Sequence, residues 1–462
     1  MAQVDLAIRA GRIVTETAVV PADLGICAGV VTQIGDVLEA DAELDARGAL
    51  VLPGGIDAHV HLSASATGGD EPHWVDDFTT GSAAALAGGI TTLGNMTFPA
   101  PGEHPIACLE RAAAEARAQT IADLFLHPVL PTITPEVLDE IPRLRDVGCN
   151  SIKFFTTETT FDAQVAGYLE ATRRAGAAGL VTLIHCEDQP ILAAATAALV
   201  AAGATLHQYA DSRPEIAEVV ATQRAIAFAE ASGAPVYVVH LSSARALQAC
   251  VEAQARGVPI YVETRPLYLH LTRERYAAAD GAKYVAQPPL REPHDVAVLW
   301  AGLAAGSIHT VCSDHAPWSL AAKLDPAHTL TNLRPGVENL QSLRAMLYSE
   351  GVRTGRITLR QFVELTATNA ARIFGLYPRK GVIAVGSDAD LVIFDPALTR
   401  TIRPGMLKSR ADYSVYEGWE VTGWPVVTLR RGEVVFRDDA VVGQPGTGQV
   451  VERGVTRPPG QA

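Results

Sequence analysis

The sequence lacks a long hydrophobic run, paired cysteines and any block of basic residues. Its richest apolar stretch, residues 191–204, is shorter than the roughly 18 residues of a membrane helix, so we expect a packed helix and no membrane partner. Six scattered cysteines without a CxxC pair are typical of thiols in a reducing compartment. Lys and Arg total 37 against 51 Asp and Glu, a net charge of -14, which argues against a nucleic-acid partner.

The first residues also lack the unbroken apolar region of a secretory signal, because Asp5, Arg9 and Arg12 interrupt it. We therefore expect a cytoplasmic protein. What the chain does have is 462 residues, of which 48% are hydrophobic and 19% charged. Such a composition predicts a folded protein with one large domain and a smaller attached unit.

From residue 50 onward, short β-branched runs alternate with alanine-rich helical segments, as in repeated βα units around a parallel sheet. Eight such units predict a (β/α)8 TIM barrel. The eight runs are ALVLPGGIDAHVH, GITTLGNM, DLFLHPVL, SIKFF, LVTLIHCE, PVYVVHLSS, PIYVETRPLYL and HTVCSDHA.

Both chain ends instead contain short strands separated by glycine turns, which predicts one small β-domain built from the two termini. The last segment is rich in Gly and Pro and is predicted to be a tail or a subunit contact. The predicted boundaries are 1–53 and 373–437 for the β-domain, 54–372 for the barrel and 438–462 for the tail.

Histidines and an aspartate recur at the ends of the predicted barrel strands. His59 and His61 are two residues apart, so a strand places both on one face, where they can bind one metal ion. His185, His240 and Asp314 each close another run. Because the carboxyl ends of barrel strands meet at the catalytic face, these residues predict a metal site there.

Several motifs resemble the amidohydrolase superfamily, specifically its hydantoinase and dihydropyrimidinase branch, over about residues 4 to 436. The resemblance implies that the small domain is a β-sandwich and that the protein is a homo-oligomer, a tetramer or dimer. The motifs are PGGIDAHVH, DDFTTGSAAALAGGITT, SIKFF, HCED, VVHLSS, AQPPLR, CSDHAPW and YPRKGVIAVGSDADLVIFDP.

The resemblance further implies a centre of two divalent metal ions, usually zinc. An ammonium cannot bind a cation, so Lys153 would act as a carbamate formed with carbon dioxide. The implied ligands are His59, His61 and Asp314 for one metal, His185 and His240 for the other, and carboxylated Lys153 as the bridge.

The implied reaction is hydrolysis of a non-peptide C–N bond in a small cyclic amide, imide or ureide. A hydroxide bridging the metals would attack the carbonyl carbon, since metal binding lowers the pKa of water from 15.7 to about 7. Asp314 would act as general base and then as general acid towards the departing nitrogen.

The substrate pocket departs from the family pattern. Ser63 stands where dihydroorotases carry an arginine, and Glu158 stands where hydantoinases and dihydropyrimidinases carry a tyrosine whose hydroxyl stabilises the oxyanion. An ionised carboxylate cannot donate that hydrogen bond. Thr156, Thr157 or a shifted tyrosine could supply the donor instead, or Glu158 could pair with a cationic or NH-rich substrate.

Five further residues have expected roles in or near the site. Gln287 and Asn332 match family positions that bind the ring amide and are predicted to contact substrate. His127 is predicted to be a core histidine, Glu263 a structural residue on the catalytic face, and His315 a support for Asp314.

Three alternatives stay open from the sequence. An allantoinase has the same metal ligands, and a hydrolase of acyclic carbamate or urea bonds would use the same chemistry. A non-catalytic dihydropyrimidinase-like scaffold is disfavoured, because all six ligand positions are occupied.

Overall fold

The computed structural model describes residues 4–36, 39–63 and 74–459. The predicted segments 1–53, 54–372 and 438–462 each include some residues outside these ranges. The described chain forms seventeen strands: β1 Val4–Val14, β2 Val19–Cys27, β3 Val30–Gly35, β4 Ala40–Asp45, β5 Leu50–Pro53, β6 Gly55–Val60, β7 Ile90–Thr97, β8 Asp123–Pro128, β9 Ser151–Phe155, β10 Val181–His185, β11 Val236–Val238, β12 Ile260–Thr264, β13 Thr310–Val311, β14 Leu391–Thr401, β15 Glu420–Arg430, β16 Glu433–Arg437 and β17 Ala440–Val441.

The α-helices mostly follow the barrel strands. Two of the longer ones end where glycine adopts a left-handed conformation, at Gly233 and Gly306. The helices are α1 Phe78–Ala87, α2 Pro105–Gln119, α3 Pro135–Glu140, α4 Val165–Ala177, α5 Gln189–Ala201, α6 Tyr209–Ser212, α7 Glu215–Ser232, α8 Ala244–Ala255, α9 Pro266–His270, α10 Pro293–Ala305, α11 Leu320–Lys323, α12 Leu343–Leu347, α13 Leu359–Val363 and α14 Asn369–Ile373.

Strands β6 to β13 form a closed barrel of eight parallel strands. They pair as β6-β7-β8 and as β9-β10-β11-β12-β13. Parallel bridges between Val129 and Lys153 and between Val60 and His315 join the two sets. The eight strands correspond to the eight predicted runs, so the predicted barrel is confirmed.

The remaining strands form one nine-stranded sheet that contains both chain ends. Its centre is the antiparallel pairing of β5 with β14, in which Val51 lies opposite Ile393. Strand β5 also pairs with β1, and the first barrel strand, β6, directly follows β5 in the chain. The sheet therefore adjoins the start of the barrel, as the predicted β-domain built from both termini requires.

A buried ion network lies between this sheet and the amino-terminal end of the barrel. Lys380 Nζ lies 2.8, 2.9 and 2.6 Å from carboxylate oxygens of Asp123, Asp388 and Asp390. Arg431 forms a further ion pair with Asp123, the first residue of β8. The three aspartates are close enough to bind a cation, but the Lys380 ammonium already forms ion pairs with all of them.

Two segments differ from expectation. Helix α5 was predicted to be packed, and it contacts α6 and α7, but most of it is exposed: Leu192 is its one buried residue and Val200 is 50% exposed. The predicted tail packs on its own barrel: Val450 pairs with Leu124, and the buried Arg453 donates to the Leu126 carbonyl and Ser151 Oγ. No helix in the described chain is long and apolar enough to cross a membrane.

Candidate metal centre

The six predicted ligands converge at the carboxyl end of the barrel. They lie in or shortly after five different barrel strands, and each side chain is buried. His59 lies in β6 and His61 just after it, Lys153 lies in β9, His185 ends β10, and His240 and Asp314 follow β11 and β13.

Asp314 connects the two histidines of the HVH motif. Its Oδ1 lies 3.2 Å from His59 Nε2 and 2.9 Å from His61 Nε2. One ligand atom each from His59, His240 and Asp314 lie within 4.8 Å of one another. Carboxylate and imidazole donors at this separation fit a divalent metal such as zinc.

The other two histidines face each other. His185 Nδ1 lies 2.9 Å from His240 Nε2. Burial lowers the pKa of both imidazoles, that of His240 well below its ordinary value. Both rings are therefore neutral near pH 7, the form in which an imidazole nitrogen binds a metal.

Lys153 is a buried lysine in the middle of the candidate ligands. It is fully buried, and its Nζ has no hydrogen-bond partner among the described residues. Its nearest described aromatic contact is the Phe155 ring, 4.6 Å away. Burial lowers the pKa of Lys153 to about 8, which raises the share of neutral amine. A carbamate at this atom would replace an unsatisfied buried cation by an anionic ligand, so the residues present fit a two-metal centre.

Glu263 orients two of the histidine segments. Its Oε1 lies 2.8 Å from His59 Nδ1 and accepts the His240 backbone N–H at 2.8 Å. Its Oε2 accepts the Tyr237 hydroxyl at 2.9 Å. The hydrogen bond to Nδ1 leaves His59 Nε2 free for a metal. Glu263 therefore supports the site directly, beyond the general structural role expected from the sequence.

The sequence interpretation missed Arg265. This buried residue lies 2.9 Å from Asp314 Oδ2 through Nη1 and also donates to the Ser313 carbonyl. Burial alone would raise the pKa of Asp314, but Arg265, His59 and His61 together hold it well below its ordinary value. The only signal in the sequence was its position two residues after Glu263 and directly after β12.

Glu187 plays a similar part beside His185. Its carboxylate lies 2.9 Å from His185 Nε2 and forms an ion pair with Arg213. Burial would raise the pKa of Glu187, yet Arg213 and His185 bring it to about 2. The HCED motif contained this residue, but nothing in the sequence connected it with Arg213.

Two further histidines, one predicted to be a core residue and the other a support for Asp314, have defined contacts. His127 Nδ1 lies 2.7 Å from Ser151 Oγ, and its Nε2 lies 3.1 Å from the Ala58 carbonyl oxygen. It is a satisfied core histidine, as predicted. His315 Nε2 lies 2.7 Å from Asp76 Oδ2, which anchors the segment that carries Asp314.

A cavity of about 280 Å³ opens over the candidate ligands. Of the three residues predicted to contact substrate, Glu158 and Gln287 line it. Asn332 does not: it is exposed, and its Oδ1 accepts the Thr329 N–H at 2.6 Å. The lining also includes His59, His61, Trp74, Phe98, Phe155, Thr157, His185, His240, Asp314, Ala316, Pro335 and Gly336.

The two threonines proposed as donors differ in availability. Thr156 is buried, with its Oγ1 2.8 Å from the carbonyl oxygens of both His185 and Glu187. It also accepts the Glu187 N–H at 2.9 Å. Thr157 lines the cavity instead, so it is the threonine that can reach a substrate.

Comparison with known proteins gives a consistent result. Residues 50–435 match the family described as "Amidohydrolase family". The chain is 38% identical to the D-phenylhydantoinase of Escherichia coli (strain K12 / DH10B), covering 98% of this chain and 99% of that protein. Among solved structures, the D-hydantoinase from Bacillus sp. AR9 matches with a TM-score of 0.92 at 37% identity, covering 98% of this chain and 100% of that one. A dihydropyrimidinase from Brevibacillus agri NCHU1002 matches with a TM-score of 0.93 at 36% identity, covering 98% and 99%.

Proposed function

The chain belongs to the amidohydrolase family, and from that premise we propose that it opens a small cyclic amide, imide or ureide at the cavity above its six converging ligands. It is a metal-dependent hydrolase of cyclic amides, like the hydantoinases and dihydropyrimidinase it resembles. The observation that carries the proposal is the position of Lys153 Nζ, which is fully buried beside four histidines and Asp314 and has no hydrogen-bond partner among the residues that the structure describes.

We propose two zinc ions as the metals. His59, His61 and Asp314 would hold one and His185 and His240 the other, with Lys153 as a bridging carbamate. When bound, the metals would lower the pKa of an attacking water and polarise the substrate carbonyl.

The protein's own groups would divide the remaining work. Asp314 would receive a proton from the attacking water and return it to the departing ring nitrogen. Arg265 holds Oδ2 of that carboxylate, so its Oδ1 faces the histidines. Trp74, Phe98 and Phe155 line the cavity and would keep bulk water from the ring.

The ring would be held by neutral groups. Thr157 and Gln287 line the same cavity, and each can donate a hydrogen bond to a carbonyl oxygen. Asn332 remains a predicted contact through its backbone only, because its side chain is engaged with Thr329. A homo-oligomer, tetramer or dimer, is part of the proposal, and six unpaired cysteines support a cytoplasmic location.

A substrate panel tests the proposal. Metal-supplemented protein is assayed with hydantoin, dihydrouracil, succinimide, allantoin and an acyclic carbamate. Ring opening of at least one imide or ureide is expected, with loss of turnover in Lys153→Ala. Turnover of allantoin alone would support an allantoinase, and turnover of only the carbamate would replace the cyclic substrate. No turnover by metal-loaded protein would favour the scaffold.

A further inference from the structure

Glu158 occupies a defined position at the rim of the metal cavity. It lies in the loop after β9, five residues beyond Lys153. Its backbone N–H donates to the Phe155 carbonyl at 3.3 Å, and its carbonyl accepts the Phe161 N–H at 2.9 Å. The loop is thus held at both sides of Glu158, and its half-buried side chain lines the cavity.

The Glu158 carboxylate has no partner within the described chain. No hydrogen bond or ion pair reaches it there, and its partial burial raises its pKa. Every Lys and Arg of the sequence lies in the described ranges. Arg213, which lines the adjoining hollow, is already paired with Glu187.

Aromatic ring faces share the cavity with this carboxylate. The Phe98 and Phe155 rings stack with centroids 6.1 Å apart, and Trp74 lies 6.0 Å from Phe98. Aromatic faces attract cations through their quadrupoles. No Lys or Arg lies among the described residues that line the cavity. Because Lys153 Nζ already lies 4.6 Å from the Phe155 ring, Phe98 and Trp74 are the rings in this wall of the cavity that can favour a positive charge beside the Glu158 carboxylate.

Space for a substituent adjoins this wall. A second hollow, of about 580 Å³, shares Thr157 and Gln287 with the metal cavity. Thr157 directly precedes Glu158. A substrate whose ring lies at the metal ligands can therefore extend its ring substituent past Glu158 into the second hollow.

We propose that Glu158 forms a cation-binding subsite and that the preferred substrate is a cyclic amide whose ring substituent carries an ammonium, amidinium or guanidinium group. The inference rests on the proposed function, because the ring must be the part that reaches the metal ligands. An anionic substituent would meet the Glu158 carboxylate and be repelled.

Two hydantoins of equal side-chain length test the subsite: 5-(3-aminopropyl)hydantoin and the neutral 5-butylhydantoin. For the metal-loaded wild type we expect kcat/KM to favour the cationic compound by roughly tenfold, since a hydrogen bond to a charged group has about that effect. In Glu158→Gln the ratio is expected to fall towards one. The exposed residue Glu252, on α8, supplies a charge-matched control, and Glu252→Gln should keep the wild-type ratio.

A binding measurement separates this inference from the proposed function. The ring-opened products are Nα-carbamoylornithine and Nα-carbamoylnorleucine. Their dissociation constants, measured by calorimetry, report the same side-chain preference without turnover. If neither hydantoin is opened but the cationic product binds more tightly and Glu158→Gln removes that preference, the subsite stands; the proposed function then fails only if the unsubstituted cyclic amides of the substrate panel are not opened either. Equal binding of the two products, or a preference that Glu158→Gln leaves intact, would overturn the subsite.

Discussion

The Glu263 carboxylate fixes the ring of His59, whose Nδ1 lies 2.8 Å from Glu263 Oε1. The same oxygen accepts the backbone N–H of His240. One buried carboxylate thereby sets the orientation of one predicted ligand and the backbone position of another. A histidine that donates its other ring N–H to a carboxylate is also a more basic metal ligand.

Replacing this carboxylate is expected to weaken metal binding. In Glu263→Gln the His59 ring loses its anionic partner, and we expect metal affinity to fall by roughly 10–100-fold. Competition with a chelator, followed by metal analysis, measures the change. Glu252→Gln is the matched control. Unchanged affinity in Glu263→Gln would show that His59 does not depend on this contact.

Arg265 is expected to set the acid limb of the pH profile. Asp314 must be ionised to act as ligand and base, so activity is lost as pH falls through its pKa. Arg265 helps to hold that pKa well below its ordinary value, so Arg265→Met should move the acid limb to higher pH. We also expect a loss in kcat/KM of roughly tenfold or more. Arg256→Met, at an exposed position, should leave the acid limb in place; an unmoved limb in Arg265→Met would contradict the role.

Glu187 is expected to make metal-free protein sensitive to acid. Arg213 and His185 lower the pKa of the buried Glu187 in the folded chain to about 2, below its ordinary value of 4.5. The stability that it contributes is therefore complete above about pH 4.5 and is lost as pH falls towards 2. The free-energy difference of unfolding between wild type and Glu187→Gln should narrow from pH 6 to pH 3, as measured by urea titration. A constant difference would contradict the assigned ion pair with Arg213.

The Lys380 network is expected to stabilise the junction of the two domains. Lys380→Met removes the ammonium that pairs with the carboxylates of Asp123, Asp388 and Asp390. Removing one partner of a buried ion pair typically lowers the free energy of unfolding by about 3–5 kcal/mol. Urea unfolding measures this loss. Arg47, with an 88% exposed side chain, offers a control: Arg47→Met should change stability by less than about 1 kcal/mol. A similarly small effect in Lys380→Met would show that the network adds little.

The barrel and the converging ligands could be predicted because both follow from chain order. Eight β-branched runs gave the strands, and residues at their carboxyl ends meet at one face whatever the loops do. His185 and His240 are 55 residues apart, yet each ends or follows its own strand, so their proximity followed from the barrel alone.

Contacts between long side chains from different strands could not be predicted. Arg265 and Asp314 are 49 residues apart, and an arginine after a strand has many other uses. How much of helix α5 is covered could not be predicted, because its alanines lack a sharp apolar face and composition alone does not show which side is buried. The burial of Arg453 depends on hydrogen bonds to a backbone carbonyl and a serine hydroxyl. Such contacts produce no apolar periodicity, so the sequence did not show that this segment packs on the barrel.

Metal content per chain tests the central claim most directly. Protein produced with added zinc and bicarbonate is analysed for bound metal beside Lys153→Ala, whose proper folding is checked by circular dichroism. A dinuclear centre bridged by Lys153 predicts about two divalent ions per wild-type chain and a clear loss in the folded variant. A wild type without bound metal, or a Lys153→Ala protein that keeps two ions, would contradict it.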